Sequence, residues 1–201
     1  MPLPNPLSDG YTYQDYLTWP DGERWELLGG EAFSMTPSPG FSHQWVVGRL
    51  HALLVVALRG HPCVPCISPL DVVLSETNVV QPDVFVVCDR SKITPRGLVG
   101  APDLVVEVLS ASTALRDRRE KRDLYQRFGV REYLLIDAEA EVVEQLVLGD
   151  DGTYEKPVVL GADERVRLRC LGNLEIALAA VFEGVSAAAE PSAGGALGAP
   201  E

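Results

Sequence analysis

The sequence is poor in positive charge. Its 201 residues hold 17 Lys and Arg against 29 Asp and Glu, which gives a formal net charge of −12 at pH 7. A protein that coats nucleic acid through bulk charge needs an excess of Lys and Arg for phosphate contacts, so this class is excluded. A local basic groove is still compatible with an acidic chain.

Long apolar runs and cysteines are also scarce. No uninterrupted apolar run is longer than 7 residues, the length of Ala52 to Leu58, whereas a membrane-spanning helix needs about 20. The N-terminal stretch has no basic region followed by an apolar segment, so we expect no signal peptide and a cytoplasmic protein. In that compartment the four cysteines are expected to be reduced thiols, namely Cys63, Cys66, Cys88 and Cys170.

The overall composition is that of a globular protein. With 46% hydrophobic and 23% charged residues, the chain can bury a core without disulfides. Residues 1–11 are rich in proline and predict an extended N-terminal arm. Residues 12–184 are expected to form a single domain. Residues 185–201 predict a disordered tail, because 11 of the 15 residues from Ala187 to Glu201 are Ala, Gly or Pro.

Periodicity predicts a mixed α/β domain with a central β-sheet flanked by helices. The first two predicted strands form a hairpin around Gly29-Gly30. Later strands are continuous apolar runs, which are typical of strands covered on both faces. Ser42 could cap the first long helix. The predicted helices cover 12–19, 42–59, 114–128 and 174–182, and the predicted strands cover 24–28, 31–35, 70–75, 84–88, 104–109, 133–136, 142–148, 154–160 and 166–168.

Two carboxylates fall on these apolar strands. Asp83 opens the run VFVVC, and Glu107 lies inside the run LVVEVL. A carboxylate in a buried strand is costly unless it is paired or binds a cation, so both are candidate metal ligands. The alternatives are a structural salt bridge for Glu107 and simple turn chemistry for Asp83 beside Pro82.

The helix that follows Glu107 carries a second signal. Its apolar stripe, set by Leu124 and Phe128, runs back through Lys121 and Asp117 at helical spacing. Lys121 is therefore predicted to face the sheet, where it could position a nucleophilic water or stabilise a developing oxyanion. The alternative is an ion pair with Glu107 or Asp117.

Basic residues are concentrated on the same helix. Seven of the 17 fall between Arg116 and Arg131, and this density indicates a strip that could face phosphates. The candidates for nucleic-acid contact are Arg116, Arg119 and Arg122. The alternative is a solvated helix face, because Glu120 and Asp123 interrupt the strip.

Several motifs taken in order resemble one known family over residues 12–183. They resemble the bacterial Uma-two-type restriction endonuclease family, formerly a domain of unknown function, in the PD-(D/E)XK restriction-endonuclease-like superfamily. The matching stretches are RWELLGGE at 24–31, a Pro/Ser loop that leads to His43, QPDV at 81–84, APDLVVEVLSAST at 101–113, then Asp117, Lys121 and Tyr125, and GVREYLLID at 129–137.

The resemblance implies catalytic roles for particular residues. Asp83 and Glu107 match the two acidic residues that bind the metal, and Lys121 matches a catalytic Lys that has moved onto the following helix, because position 109 is Leu. Glu31 or Glu26 could add a carboxylate. His43 could contact the metal, a water or a phosphate.

The resulting expectation is a nuclease that depends on Mg²⁺ or Mn²⁺ and acts on nucleic acid, with DNA as the favoured substrate. Hard oxygen ligands select such hard cations. Two other functions stay open: an inactive interaction or regulatory module on the same fold, and a phosphodiesterase for RNA or small nucleotides. A homodimer is also expected, with the β segment around 154–168 as a free edge.

Overall fold

The computed structural model describes residues 10–20, 22–35 and 40–185. Apart from residues 10, 11 and 185, the predicted arm over 1–11 and the predicted tail over 185–201 lie outside these residues. The same holds for most of the Pro/Ser loop before His43, at 36–39.

Fourteen strands and several helical segments make up the described part of the chain. The α-helical segments are α1 (Tyr13–Tyr16), α2 (Phe41–Ala57), α3 (Ala114–Arg116), α4 (Arg122–Arg127) and α5 (Leu178–Phe182). The strands are β1 (Trp25–Leu28), β2 (Glu31–Ser34), β3 (Val64–Ile67), β4 (Asp71–Ser75), β5 (Asn78–Val80), β6 (Val84–Val87), β7 (Ile93–Thr94), β8 (Gly97–Val99), β9 (Leu104–Val108), β10 (Glu132–Asp137), β11 (Val142–Val147), β12 (Val158–Gly161), β13 (Arg165–Leu168) and β14 (Leu174–Ala177).

The strands form two mixed six-stranded sheets and a separate hairpin. One sheet has the order β2-β1-β5-β4-β8-β7, the other has the order β12-β11-β10-β9-β6-β3, and β13 pairs with β14. Only β4 with β8 and β9 with β10 run parallel among the described pairs. The predicted mixed α/β class is thus confirmed. The division of the strands between two large sheets was not predicted.

The second sheet has a core on each face because β6 is apolar throughout and β9 is apolar at every position except Glu107. Even-numbered residues such as Val84 and Val106 pack with α2 and α5. Odd-numbered residues such as Phe85 and Val105 pack with α4 and with the first sheet. This alternation is the ordinary consequence of the strand's two-residue period. It decides which face receives the carboxylates at the odd positions 83 and 107.

Two local predictions were wrong. The helix α2 begins after Gly40, without a side-chain cap, so Ser42 lies within it rather than capping it. The predicted helix over 174–182 is a strand followed by a short helix, because Leu174–Ala177 pairs with Arg165–Leu168 across a turn at Gly172 and Asn173, both of which have positive φ. Thr12 caps α1, because its side chain accepts a hydrogen bond from the backbone N–H of Asp15.

The expectation of four reduced thiols was also wrong, because Cys63 and Cys88 form a disulfide. The pairing follows from β3, a strand that the sequence did not reveal. Its antiparallel register with β6 places Val64 opposite Val87, so the flanking cysteines lie opposite each other. Cys66 and Cys170 are free.

In the described part of the chain, no helix is both long and apolar enough to cross a bilayer. The strand β12 is an edge of the second sheet, and Val158 and Val159 on it are exposed. This is the segment that the sequence analysis suggests for pairing between two copies.

Gly97 is the first residue of β8 and lies at a position that tolerates no side chain. Its φ is +146°, and a Cβ atom there would lie 2.2 Å from the carbonyl oxygen of Asp71. We expect Gly97→Ala to lower the free energy of unfolding by about 3 kcal/mol, measured by chemical denaturation. Gly48→Ala is the control, because a Cβ there meets open space on helix α2. It should leave stability unchanged or raise it by up to about 1 kcal/mol, and an equal loss in both variants would contradict the argument.

Candidate functional site

The two predicted carboxylates lie opposite each other on adjacent strands. The antiparallel register of β6 and β9 pairs Val84 with Val106, so its continuation by one residue pairs Asp83 with Glu107. Directly opposite residues point to the same side of a sheet, with Cβ atoms about 5 Å apart. Both carboxylates therefore face the same cavity, of about 310 Å³, which they line together.

Each carboxylate has one oxygen held by the protein. Asp83 Oδ2 accepts a hydrogen bond from the backbone N–H of Val108 at 2.9 Å and lies 3.1 Å from His43 Nε2. Glu107 Oε1 accepts from Lys121 Nζ at 2.9 Å and from the Tyr125 hydroxyl at 2.7 Å. Among the described residues, the two donors to each carboxylate share one oxygen, which leaves Asp83 Oδ1 and Glu107 Oε2 for an occupant of the cavity.

Lys121 reaches this cavity from an irregular helix. The segments α3, Asp117–Lys121 and α4 follow each other without a break, and the middle segment is π-helical. We refer to the three segments together as the composite helix. A π-helical turn is rare and is often found at functional sites. Here it turns Asp117 and Lys121 inward, where both are buried.

Lys121 is surrounded by carboxylates. Its Nζ lies 2.7 Å from Glu26 Oε1, 2.9 Å from Glu107 Oε1 and 3.7 Å from Asp117 Oδ1. Burial by itself lowers the pKa of Lys121, but the three negative charges outweigh it and raise that pKa well above its ordinary value. The lysine is thus a permanent cation. The predicted inward direction of Lys121 is confirmed, and so is the pairing with Glu107 that was its alternative role.

Burial has the opposite effect on the pKa of the neighbouring acids, because it raises that pKa. Burial raises the pKa of Glu107 well above its ordinary value, the charge of Lys121 opposes this shift, and the charges of Asp117, Asp83 and Glu26 add to it. Burial also raises the pKa of Asp117. At the buried end of the cavity, Lys121 thus offers one positive charge to three carboxylates, Glu26, Glu107 and Asp117.

The hairpin β1–β2 supplies one further carboxylate. Glu26 is buried, contacts Lys121 and accepts a hydrogen bond from the backbone N–H of Gln81 at 3.0 Å. Glu31, the other candidate, is exposed and lines a different cavity. Both residues lie on the same face of the hairpin, so their position along the strands explains the difference: Glu31 lies beside the turn at Gly29 and Gly30, two residues before Phe33, the partner of Glu26.

His43 lies in the first turn of α2, as predicted, and its imidazole contacts Asp83. Burial lowers the pKa of His43, but the hydrogen bond to Asp83 and the charge of that carboxylate outweigh it, so the pKa is raised. Its Nδ1 is buried and has no hydrogen-bond partner within the described residues.

The three predicted arginine contacts are not equivalent in the structure. Arg116 lines the cavity and stacks over the Phe33 ring, with its guanidinium carbon 4.1 Å from the ring centroid. Arg119 and Arg122 are exposed, and Arg122 pairs with Asp123. A further arginine, Arg24, also lines the cavity, although sequence reasoning gave it no role.

The donor set suits a small divalent cation. Within the described ranges, no three His, Cys, Asp or Glu side chains form a preformed metal cage. Mg²⁺ is usually held by one or two carboxylates, with waters and substrate phosphates completing its shell. Two opposed carboxylate oxygens without protein donors match that requirement. The cavity is lined by four carboxylates together with Lys121, His43, Arg24 and Arg116.

Sequence reasoning missed several residues that arrange the site. Tyr125 binds Glu107 through its hydroxyl, and Gln81 binds both Glu26 and Arg24. The signal for Tyr125 was present, since it follows Lys121 by one turn on the inward side of the helix. Gln81 left no comparable signal, because its partners come from distant segments.

Comparison with known proteins places these residues in a family. The model of the Uma2 family, described as "Putative restriction endonuclease", matches residues 13–179. An uncharacterized protein of Synechocystis sp. is 30% identical over 179 residues, which cover 86% of this chain and 92% of that protein.

A solved structure has the same fold. It is the crystal structure of "a putative nuclease belonging to DUF820" from Anabaena variabilis. The two structures superpose with a TM-score of 0.72 at 16% sequence identity, over 87% of this chain and 98% of that one. The restriction-endonuclease-like fold expected from the sequence is thereby confirmed.

Proposed function

Because the chain belongs to the Uma2 family of restriction-endonuclease-like proteins, we propose that it is a metal-dependent nuclease that hydrolyses phosphodiester bonds in nucleic acid. One observation carries the proposal: Asp83 and Glu107 lie opposite each other on β6 and β9, facing a cavity that also receives the buried Lys121. The proposed substrate is DNA.

In this proposal Asp83 and Glu107 hold Mg²⁺ or Mn²⁺ through the oxygens that accept no protein hydrogen bond. Such a cation polarises the phosphate and lowers the pKa of a bound water. The residues around the pair keep the carboxylates in place. The backbone N–H of Val108 and His43 fix Asp83, while Tyr125 and Lys121 fix Glu107.

Lys121 is proposed to orient the attacking water or an oxygen of the scissile phosphate. Its ammonium has three N–H donors. Two of them point to Glu26 and Glu107 at hydrogen-bond distance, whereas Asp117 lies at 3.7 Å. The proposal assigns the third donor to the water or phosphate in the cavity, which Lys121 lines. Glu26 and Asp117 act through Lys121, because they keep it charged and aimed at the site.

His43 is proposed to support the reaction through its contact with Asp83. Its imidazole, raised in pKa by Asp83, can hold a proton beside the carboxylate that faces the phosphate. A protonated imidazole also reduces the negative charge that an incoming phosphate must approach.

The net charge of −12 favours a second candidate function, a phosphodiesterase for RNA or small nucleotides. Duplex DNA carries a dense row of phosphates, which an acidic surface repels, whereas RNA fragments or small nucleotides present fewer charges. A salt titration of binding separates the two, since a duplex should show a steep dependence on salt and a small nucleotide a shallow one.

Metal titration is the experiment that tests the proposal. Isothermal titration of Mn²⁺ and Mg²⁺ into the wild type should show binding, and Asp83→Ala and Glu107→Ala should each abolish it, because each removes one of two carboxylate ligands. Asp103→Ala is the control, since Asp103 is a carboxylate of the same sheet that pairs with Arg131 outside the cavity. Unchanged binding in both site variants would contradict the proposal and favour an inactive interaction module.

A further inference from the structure

Two arginines line the cavity above its buried acids. Glu26, Glu107, Asp117 and Lys121 are all buried, whereas Arg24 and Arg116 are partly exposed. The cavity thus has an acidic floor around the proposed metal ligands and a basic rim nearer to solvent. A phosphate that enters the cavity meets the rim first.

The hairpin β1–β2 places the two arginines side by side. Glu26 pairs with Phe33 and Arg24 precedes it by two residues, so Arg24, Glu26, Phe33 and Met35 share one face of the hairpin. Arg116 stacks over Phe33, and Arg24 contacts the sulfur of Met35 at 3.9 Å. Phe33 and Met35 are separated by about 7 Å along the strand. The two guanidinium groups therefore occupy neighbouring positions on the rim.

Arg24 is held in its orientation by a partly buried network of hydrogen bonds. Its Nε donates to Gln81 Oε1 at 3.0 Å, and Gln81 Nε2 donates to Asp71 Oδ1 at 2.8 Å. The Tyr16 hydroxyl donates to the same Asp71 oxygen at 2.8 Å. Nε is used for Gln81, and Nη2 makes only the 3.9 Å contact with the Met35 sulfur. Among the described residues the terminal nitrogens have no oxygen acceptor, so they can serve a planar oxyanion, the arrangement in which arginine binds phosphate best.

Within residues 10–20, 22–35 and 40–185, neither arginine forms an ion pair. Most arginines that pair in this protein do so with surface carboxylates, as Arg49 does with Glu183 and Arg118 with Glu144. Among the residues that the structure describes, Arg24 and Arg116 have no carboxylate within 4.0 Å, although four carboxylates line the same cavity. Their charges are directed at the cavity mouth rather than neutralised by the protein.

We propose that Arg24 and Arg116 form a phosphate-binding pair that contacts the nucleic-acid backbone at the mouth of the cavity. The inference rests on the proposed nuclease function and adds the two residues that would hold the substrate strand against the acidic floor. It also singles out Arg116 among the basic residues of its helix. The strand would then cross the cavity over the Phe33–Met35 face of the hairpin.

The test is a salt titration of oligonucleotide binding, measured by fluorescence anisotropy with a short labelled single strand and its duplex. Ca²⁺ replaces Mg²⁺ in one series and EDTA is present in another. Arg24→Gln and Arg116→Gln should each weaken binding about tenfold at low salt. Each should also reduce the slope of log K against log salt by about 0.7 to 0.9, the value for one lost phosphate contact.

Arg59→Gln is the matched control. It removes the same charge just beyond the far end of α2, about 24 Å from the cavity end of that helix, and should leave the slope unchanged. A slope unchanged in both site variants would overturn the phosphate pair, even if their affinities fall, because a purely structural role does not alter the number of phosphate contacts. The absence of oligonucleotide binding by the wild type in both series would overturn it as well.

Metal binding and cleavage distinguish a failure of the nuclease proposal from a failure of the phosphate pair. Arg24→Gln and Arg116→Gln should bind Mn²⁺ as the wild type does, because neither residue is a proposed metal ligand. If the wild type binds no Mn²⁺ and cleaves no substrate while the two slopes still fall, the phosphate pair stands and the nuclease proposal fails. If metal binding and cleavage persist while the slopes stay unchanged, only the phosphate pair fails.

Discussion

Replacing Lys121 with Met should lower the free energy of unfolding by about 3 to 5 kcal/mol, the cost of leaving a buried ion pair without one partner. Lys121 is the shared cation of Glu26, Glu107 and Asp117, and all four side chains are buried. Methionine fills a similar volume, so the loss reports on charge rather than on packing. Urea denaturation followed by circular dichroism measures it.

Two comparisons isolate the cause of this loss. Glu107→Gln removes one anion from a cluster in which anions are in excess, so it should change stability by less than about 1 kcal/mol or raise it. Arg118→Met removes a cation three residues before Lys121 on the composite helix. Arg118 is only half-buried, and its pair with Glu144 should contribute about 0 to 1 kcal/mol to stability. A similar loss in Lys121→Met and Arg118→Met would contradict the argument. If Lys121→Met does not fold, the Glu107→Gln/Lys121→Met double variant still tests it, because removing an anion as well should restore part of the stability.

Glu107→Gln should reduce the rate of phosphodiester hydrolysis by about a thousandfold, the second large effect. The amide keeps the shape of the side chain but lacks the charge that would hold a divalent cation. Loss of a metal's charge stabilisation is worth several kcal/mol, and each 1.4 kcal/mol is about a factor of ten in rate. The assay measures cleavage of supercoiled plasmid, linear duplex and RNA with Mn²⁺ and with Mg²⁺.

The matched control for this variant is Glu132→Gln. Glu132 is a fully buried carboxylate of the neighbouring strand β10, but it binds Gln145 and the backbone N–H of Cys170, outside the cavity. It should leave the rate unchanged while it lowers stability. Equal activity of Glu107→Gln and the wild type, or no cleavage of any of the three substrates by the wild type, would contradict the proposed reaction.

Local signals in the sequence predicted much of the architecture around the site. The runs VFVVC and LVVEVL predicted buried strands because they are apolar at consecutive positions, and the structure has β6 and β9 there. The stripe of Leu124 and Lys121 predicted the inward side of the composite helix, because helical spacing places residues three or four apart on one face. The short strands β3, β5, β7 and β8 escaped prediction, since two to four residues carry too little periodicity.

The sequence by itself determined which chemical groups are present and which of them lie on buried elements. An acid inside an apolar strand and a lysine on an apolar stripe can be recognised from neighbours within a few positions, and this was enough to single out Asp83, Glu107 and Lys121.

Only the tertiary structure decided which of these groups meet. The register of β6 against β9 sets Asp83 opposite Glu107, and the hairpin brings Glu26 rather than Glu31 to Lys121. It also places Arg24 beside Arg116 at one cavity and Cys63 opposite Cys88 across two strands. These contacts join residues far apart in the chain, and strand pairing between distant segments has no counterpart in the spacing of nearby residues.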